Sequence, residues 1–195
     1  GEERDLDFGG RGGTTCLTTN GDDLVCDSDR AEYTLGAWQS AEADWADPAP
    51  DGTWAVGVRN RNGLSGLVRV ELGTGAVSEL TTPSAEEVVA WPRVGPDGAT
   101  LACMVHRGGR WRVVLRTLAD GKERELPTPA GSLVAHLVWA PGGDALLATF
   151  GRDGLVNIAR LDVAGATEPQ LVTRSAAACL APAPTPDGRR VFFLA

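Results

Sequence analysis

Positive charge and long apolar segments are both scarce in this sequence. Eighteen Lys and Arg residues stand against 26 Asp and Glu, which gives a formal net charge of -8 and a pI of about 4.8. Nonspecific binding to nucleic acid or to an anionic membrane needs a broad basic surface, which this charge balance argues against. No apolar run approaches the roughly 18 residues of a membrane-spanning helix. We therefore expect no nucleic-acid partner and no membrane span.

The residues from which catalytic and metal sites are built are also few. The two histidines, His106 and His136, have no Cys, Asp or Glu clustered near them at metal-ligand spacing. The segment Gly63-Leu64-Ser65-Gly66 resembles a nucleophile elbow, but Leu67 stands where that motif needs glycine. We interpret Ser65 as a solvent-facing residue after a hairpin. The sequence thus predicts no catalytic residue, no metal site and no cofactor.

Glycine and proline, in contrast, are frequent and regularly spaced. The chain has 25 Gly and 12 Pro, and 43% of its residues are hydrophobic, enough for a sizeable core. Four glycines that close proline-containing turns, Gly52, Gly98, Gly143 and Gly188, are 46, 45 and 45 residues apart. A period near 45 residues is typical of a repeat architecture.

Each full period contains two further glycines at intervals of 11 or 12 residues, namely Gly63 and Gly75, Gly109 and Gly121, and Gly154 and Gly165. Three turns imply four strands. The first two strands are nearly continuous apolar runs, as in residues 133–139 and 145–150, whereas the fourth is short and charged, as in residues 122–126. This pattern predicts an all-β fold, a β-propeller of four-stranded blades.

The period predicts a single propeller domain over residues 1–195 with about five blades, of which the first and last are incomplete. The expected blade units are approximately residues 14–43, 44–86, 87–131, 132–176 and 177–195. In the first unit we expect the first three strands at residues 14–19, 23–29 and 33–38. Residues 4–8 are expected to pair with the last blade and close the ring. The alternative is that the chain is a piece of a six- or seven-bladed ring.

A family resemblance accompanies this repeat. The string Trp139-Ala140-Pro141-Gly142-Gly143, then an apolar strand, Arg152-Asp153-Gly154 and residues 156–162, resembles the repeat of TolB-type, WD-like propellers. The resemblance covers roughly residues 44–195. It implies a fold rather than an activity, because the repeat also occurs in regulatory proteins and in propellers attached to serine peptidases.

Arginine is the polar residue that recurs most sharply. It stands nine residues after the turn glycines Gly21, Gly52, Gly98 and Gly143, at Arg30, Arg61, Arg107 and Arg152. Together with Arg59, Arg110 and His106, these residues form the predicted binding site at one rim of the channel. Guanidinium groups there would bind a carboxylate or a phosphate. The alternative is structural, with the arginines pairing with aspartates such as Asp29 and Asp153.

Tryptophans and cysteines give two further expectations. Trp45, Trp91 and Trp139 lie on first strands, where we expect packing between blades, with a sugar-binding platform as the alternative. Cys16 and Cys26 flank the Asn20-Gly21 turn, which would place them opposite each other. A disulfide there favours an extracytoplasmic (periplasmic or secreted) location, although reduced thiols suit a cytoplasmic core equally. Cys103 and Cys179 are expected to be free.

The function predicted from these features is that of a noncatalytic binding or scaffold module. It would recognise a protein segment or a small anionic ligand at one mouth of the channel. The alternative is the gating propeller of a prolyl-oligopeptidase-type serine peptidase whose hydrolase domain lies outside this chain. A glycosidase or lyase propeller would need acidic residues that converge in the channel, and no such residues recur.

Overall fold

A computed structural model of the chain describes residues 15–19, 23–27 and 43–195. Every regular element in these residues is a β-strand, so the predicted all-β class is confirmed. The strands form five antiparallel sheets, which we number in chain order. No helix within the described residues is long and apolar enough to cross a membrane.

Sheets 2, 3 and 4 each contain four strands whose spatial order follows the chain. Sheet 2 consists of β3 (Ala43–Pro48), β4 (Trp54–Arg61), β5 (Leu64–Glu71) and β6 (Val77–Glu79). Sheet 3 consists of β7 (Glu87–Val94), β8 (Thr100–Arg107), β9 (Arg110–Thr117) and β10 (Glu123–Glu125). Sheet 4 consists of β11 (Leu133–Trp139), β12 (Ala145–Arg152), β13 (Leu155–Asp162) and β14 (Gln170–Leu171). The four-stranded antiparallel repeat predicted from the glycine spacing is confirmed.

The first and last sheets in chain order, sheets 1 and 5, have two strands each. Sheet 5 consists of β15 (Leu180–Pro184) and β16 (Val191–Leu194), at the predicted positions of a first and a second strand. Sheet 1 consists of β1 (Thr15–Thr19) and β2 (Asp23–Asp27), and its register places Cys16 opposite Cys26, as the turn predicted. The expected strands at residues 4–8 and 33–38 lie outside the described residues.

The strand spacing of sheet 1 fits a different position in the repeat from the one expected. Residues 28–42 separate β2 from β3, the same length as residues 72–86 and 118–132, which separate a third strand from the next first strand. Three residues separate β1 from β2, which is closer to the two residues between second and third strands than to the five or six between first and second strands. The spacing therefore fits β1 and β2 better as second and third strands than as first and second.

An irregularity recurs in the first strand of sheets 2 to 5. The register shifts by a β-bulge, and each bulge holds a non-glycine residue in the left-handed conformation. These residues are Trp45, Trp91, His136 and Ala181, with φ between 46° and 51°. They lie five residues before the turn prolines, so His136, and not Trp139, is the counterpart of Trp45 and Trp91.

The hydrophobic core lies between neighbouring sheets. Val56 and Val58 of sheet 2 pack with Leu101 and Cys103 of sheet 3. A second cluster joins sheet 3 to sheet 4, for example through Met104, Leu115, Leu146 and Phe150. The first strands β3, β7, β11 and β15 contact one another in succession. Both faces of sheet 3 are therefore buried, which explains why β8 is an apolar run.

Candidate functional site

The antiparallel topology brings the predicted arginines to one edge of the sheets. The turn from second to third strand and the loop to the next first strand lie at the same end of each sheet. We call this end the arginine rim. Arg61, Arg107 and Arg152 are the last residues of β4, β8 and β12, while Arg30 lies outside the described residues.

On sheet 3, the predicted arginines are already paired with carboxylates. Arg107 Nη2 lies 2.7 Å from Glu87 Oε1 and 3.3 Å from Glu123 Oε2, so it connects strands of its own sheet. Arg110 Nη2 lies 3.4 Å from Glu125 Oε1 and donates to the carbonyl of Thr128 at 3.3 Å. Both guanidinium groups thus make ion pairs within their own sheet.

The remaining predicted arginines lie at equivalent turns. Arg152 Nε is 3.7 Å from Asp153 Oδ2, and both side chains are exposed. Arg61, the last residue of β4, lies opposite Leu64 in the strand register, and Arg59 lies two residues earlier on the same strand. Positive charge therefore recurs at this rim, but carboxylates of the same sheet accompany it on sheets 3 and 4.

The rim of sheet 3 also presents an exposed aromatic side chain. Trp111 is 42% exposed, and its ring lies 5.2 Å from the His106 ring. Val88, His106 and Trp111 lie opposite one another across β7, β8 and β9, so their side chains share one face of the sheet. Val88 is 47% exposed. An apolar row thus reaches solvent beside Arg107 and Arg110.

Ser65 shows which way this face of the sheet points. Ser65 occupies the position of Trp111 in sheet 2, two residues after the turn glycine. Its hydroxyl accepts a 2.9 Å bond from the Val89 amide and lies 3.4 Å from the Glu87 carbonyl, both in sheet 3. The prediction that Ser65 faces solvent is wrong, since it is 6% exposed. By the same geometry, the face that carries Trp111 points toward sheet 4.

Sheet 4 continues the apolar surface at this edge. Leu133 and Leu155 are 55% and 53% exposed, and Leu133 is the counterpart of Val88. Two adjoining clefts of about 300 and 230 Å³ share Pro129, which lies in the loop between sheets 3 and 4. Arg110 lines the first cleft and Arg152 the second. The rim therefore combines a groove with exposed apolar and guanidinium groups.

Sequence reasoning missed Trp111, Leu133, Leu155 and Val88 as surface groups. An apolar residue next to a turn looks like part of a buried strand. A signal for Trp111 was present, because its counterparts in sheets 2 and 4 are the smaller Ser65 and Val156. A large side chain at a position that elsewhere carries a small one indicates a local role.

The first-strand tryptophans pack between sheets, as predicted. The Trp45 and Trp91 rings are 5.7 Å apart, and the Trp91 and His136 rings are 5.5 Å apart. Trp139 donates from Nε1 to the Arg93 carbonyl at 3.0 Å. His136 also pairs with the Thr149 hydroxyl at 3.1 Å. These contacts are interior packing between neighbouring sheets.

Within the described residues there is no group of three or more His, Cys, Asp or Glu side chains that could hold a metal ion. Cys103 and Cys179 are free and buried, as expected. Burial raises the pKa of the Cys103 thiol to about 12, so it is not a nucleophile at neutral pH.

Comparison with known proteins gives consistent similarities. No family model matches the sequence. A curated relative, the Protein TolB homolog of Chlorobium chlorochromatii (strain CaD3), is 29% identical over 143 residues, which cover 73% of this chain. The chain spans 31% of the length of that relative.

Three solved structures illustrate the range of similar folds. TolB from Acinetobacter baumannii matches with a TM-score of 0.66 and 17% identity, over 77% of this chain and 37% of that one. An oligogalacturonate lyase in complex with manganese matches with a TM-score of 0.61 and 19% identity, over 90% of this chain and 54% of that one. A Mycobacterium tuberculosis puromycin-hydrolyzing peptidase matches with a TM-score of 0.58 and 19% identity, over 80% of this chain and 28% of that one.

At these identities the solved structures show the fold alone, and they include a TolB and two enzymes. The TolB homolog adds sequence similarity over most of the chain. The repeat, the four-stranded antiparallel sheets and these comparisons together show that the chain is similar to TolB-type β-propellers.

Proposed function

We propose that this chain is a noncatalytic propeller module that recognises a protein segment at the arginine rim of sheets 3 and 4. The observation that carries the proposal is the exposed Trp111 at the same rim as the two clefts that meet at Pro129. Trp and Arg side chains are enriched among the residues that dominate binding at protein interfaces. Rigid sheets hold these groups in place, which lowers the entropy lost on binding.

A protein segment suits this rim better than a small anion does. Arg107 and Arg110 already face Glu87, Glu123 and Glu125, so a small anion would have to displace those carboxylates. A polypeptide can instead contact Trp111 and the leucines and place a carboxylate near Arg152. We therefore favour apolar contacts for affinity, with the arginines setting the orientation of the segment.

Selection from a random peptide library on the immobilised chain tests this proposal. A selected peptide is then measured against W111S, which introduces the residue found at the same position of sheet 2. We expect W111S to weaken binding at least about tenfold, because a central aromatic contact is lost. The K122A variant is the control, since Lys122 is exposed in the turn between β9 and β10 at the opposite end.

Two results would contradict the proposal. One is a selected peptide that binds W111S as tightly as the unaltered chain. The other is a peptide whose binding depends on Lys122. Near-ultraviolet circular dichroism of each variant shows whether the sheets remain packed, so a folding defect is distinguished from a lost contact.

The second candidate function is the propeller of a serine peptidase. The fold similarity to the puromycin-hydrolyzing peptidase favours it, and this chain covers 28% of that protein. In such a protein, the rim would face a hydrolase domain instead of a free segment. The intact mass of the natural gene product distinguishes the two, because a hydrolase domain adds some 200 residues or more.

An extracytoplasmic location is also a proposal. It rests on the register of β1 and β2, in which Cys16 and Cys26 are direct partners. Cα atoms of such partners are about 4.5–5.5 Å apart, within the range of a disulfide. Alkylation of the unfolded natural protein before and after reduction tests the bridge. Equal thiol counts in both samples would contradict it.

A further inference from the structure

One ion pair in the described core joins equivalent positions of two neighbouring sheets. Asp47 and Arg93 each lie two residues after a left-handed residue of a first strand. Arg93 Nη1 is 3.4 Å from Asp47 Oδ1, and the two side chains are 17% and 18% exposed. The other Asp47 oxygen, Oδ2, accepts a 2.7 Å bond from the Val94 amide. We call this set of contacts the 2/3 joint.

The repeat itself does not require charge at this position. The counterparts of Asp47 and Arg93 in sheets 4 and 5 are Val138 and Ala183, which cannot ionise. A residue that served only the repeat would recur in every sheet. The ion pair therefore belongs to this joint.

Arg93 also contacts the next sheet. Its Nε donates to the Leu137 carbonyl at 2.8 Å, and its own carbonyl accepts from Trp139 Nε1 at 3.0 Å. Arg93 thus remains anchored to sheet 4 whatever the charge of Asp47. Asp47, the carboxylate partner of Arg93, lies on the other side, toward sheet 2.

We propose that the 2/3 joint is a pH-sensitive contact, closed in mild acid and easier to open at neutral pH. The closed joint keeps the Asp47 carboxyl away from most water, so ionisation of that group costs free energy. An open joint hydrates the carboxylate and removes this cost. Ionisation consequently favours opening, and protonation favours closure.

The Asp47 carboxyl changes its protonation state between mild acid and neutral pH. Burial raises the pKa of Asp47 from 3.8 to about 6, because it outweighs the charge of Arg93 and the hydrogen bonds from Val94 and Arg93. Arg93 is the described charged group that faces Asp47 from β7. Beyond it lies His136 on β11, whose pKa is lowered by burial and by the charge of Arg93. His136 sits on the far side of Arg93, so Asp47 is the group that reports on this joint.

Hydrogen exchange of the Val94 amide measures this opening, because that amide donates to Asp47. With a pKa of about 6 when closed and 3.8 when open, linkage predicts about a tenfold loss of protection between pH 5 and pH 7.5, after correction for intrinsic exchange. In D47N, the side-chain oxygen still accepts from Val94 but does not titrate. We expect protection in D47N to be independent of pH over this range.

The same pH dependence in both proteins would overturn the proposal. If D47N does not fold, the carboxyl carbon of Asp47 is titrated by NMR in the unaltered chain. A midpoint near 6, shared with the loss of Val94 protection, supports the joint. A midpoint near 4 overturns it. Neither measurement involves the peptide-binding rim, so failure here leaves the proposed function untouched.

Discussion

The joint between sheets 2 and 3 and the joint between sheets 3 and 4 share a backbone geometry but differ in chemistry. At the 2/3 joint, a carboxylate accepts the Val94 amide and faces Arg93. At the 3/4 joint, carbonyl oxygens accept from Arg93 and from Trp139. Backbone carbonyls do not titrate, so only the first of these contacts responds to pH between 5 and 8.

This difference separates the apolar contacts that stabilise both joints from a polar contact that is present at one joint. The apolar clusters on both faces of sheet 3 supply the bulk of the burial. A titratable side chain at one register position then makes one joint respond to pH. A repeat fold can in this way carry a local property without any change to its strands.

The largest expected effect comes from truncating the core at either joint. L146A at the 3/4 joint and L101A at the 2/3 joint each remove a fully buried side chain. We expect each to lower the free energy of unfolding by about 3 kcal/mol through lost burial and a residual cavity. Urea denaturation at pH 5 checks both, with L171A as the exposed control. A second transition in either variant would show that the joints separate independently.

The next effect concerns the indole contact of the 3/4 joint. W139F removes the donor to the Arg93 carbonyl and leaves that acceptor without its partner. We expect a loss of about 1–2 kcal/mol, and the same loss at pH 5 and pH 7.5 because no titrating group is changed. Denaturation at both pH values checks this. A loss that varied with pH would mean that the two joints are coupled through Arg93.

The sequence predicted the sheets of residues 43–171 well, and the reason is local. Glycines at positive φ, such as Gly63, Gly109 and Gly154, mark turns whatever the rest of the fold does. The intervals of 11 or 12 residues then leave room for one strand each. No distant contact is needed to read this pattern.

The contacts at the joints and the apolar groups of the rim could not be predicted in the same way. Asp47 and Arg93 are 46 residues apart, and they meet because the bulges at Trp45 and Trp91 bring the same register position of two sheets together. Ser65 was misread because alternation of polar and apolar residues does not show which positions contact a neighbouring sheet. Trp111 stands out only once its counterparts are superposed.

A smaller effect tests the pH response of overall stability. Because the pKa of Asp47 is raised by folding, its stabilising contribution is fully present below pH 3.8 and is lost as the pH rises through 6. The free energy of unfolding should therefore fall by about 1 kcal/mol between pH 5 and pH 7 relative to D47N. Parallel denaturation of both proteins checks this difference.

Three exposed carboxylates have lowered pKa values and do not contribute to this difference. The pKa values of Asp51, Asp120 and Asp187 are lowered, mainly by hydrogen bonds from Thr53, Lys122 and Thr185. These groups titrate below the range of the measurement. A difference between the two proteins that stayed constant from pH 5 to pH 7 would contradict the account of Asp47.

The smallest expected effect concerns the bulge of sheet 5, where Ala181 has a φ of 50°. A Cβ atom in the left-handed region costs about 1–2 kcal/mol, whereas glycine adds about 0.5–1 kcal/mol of unfolded-state entropy. A181G should therefore raise stability by about 0.5 kcal/mol. The control A119G changes an exposed turn alanine outside that region and should lower stability by a similar amount. If A181G also destabilised, the bulge would depend on the contact between its methyl group and its neighbours rather than on backbone conformation, and the recurrence of large side chains at Trp45, Trp91 and His136 would follow from the same requirement.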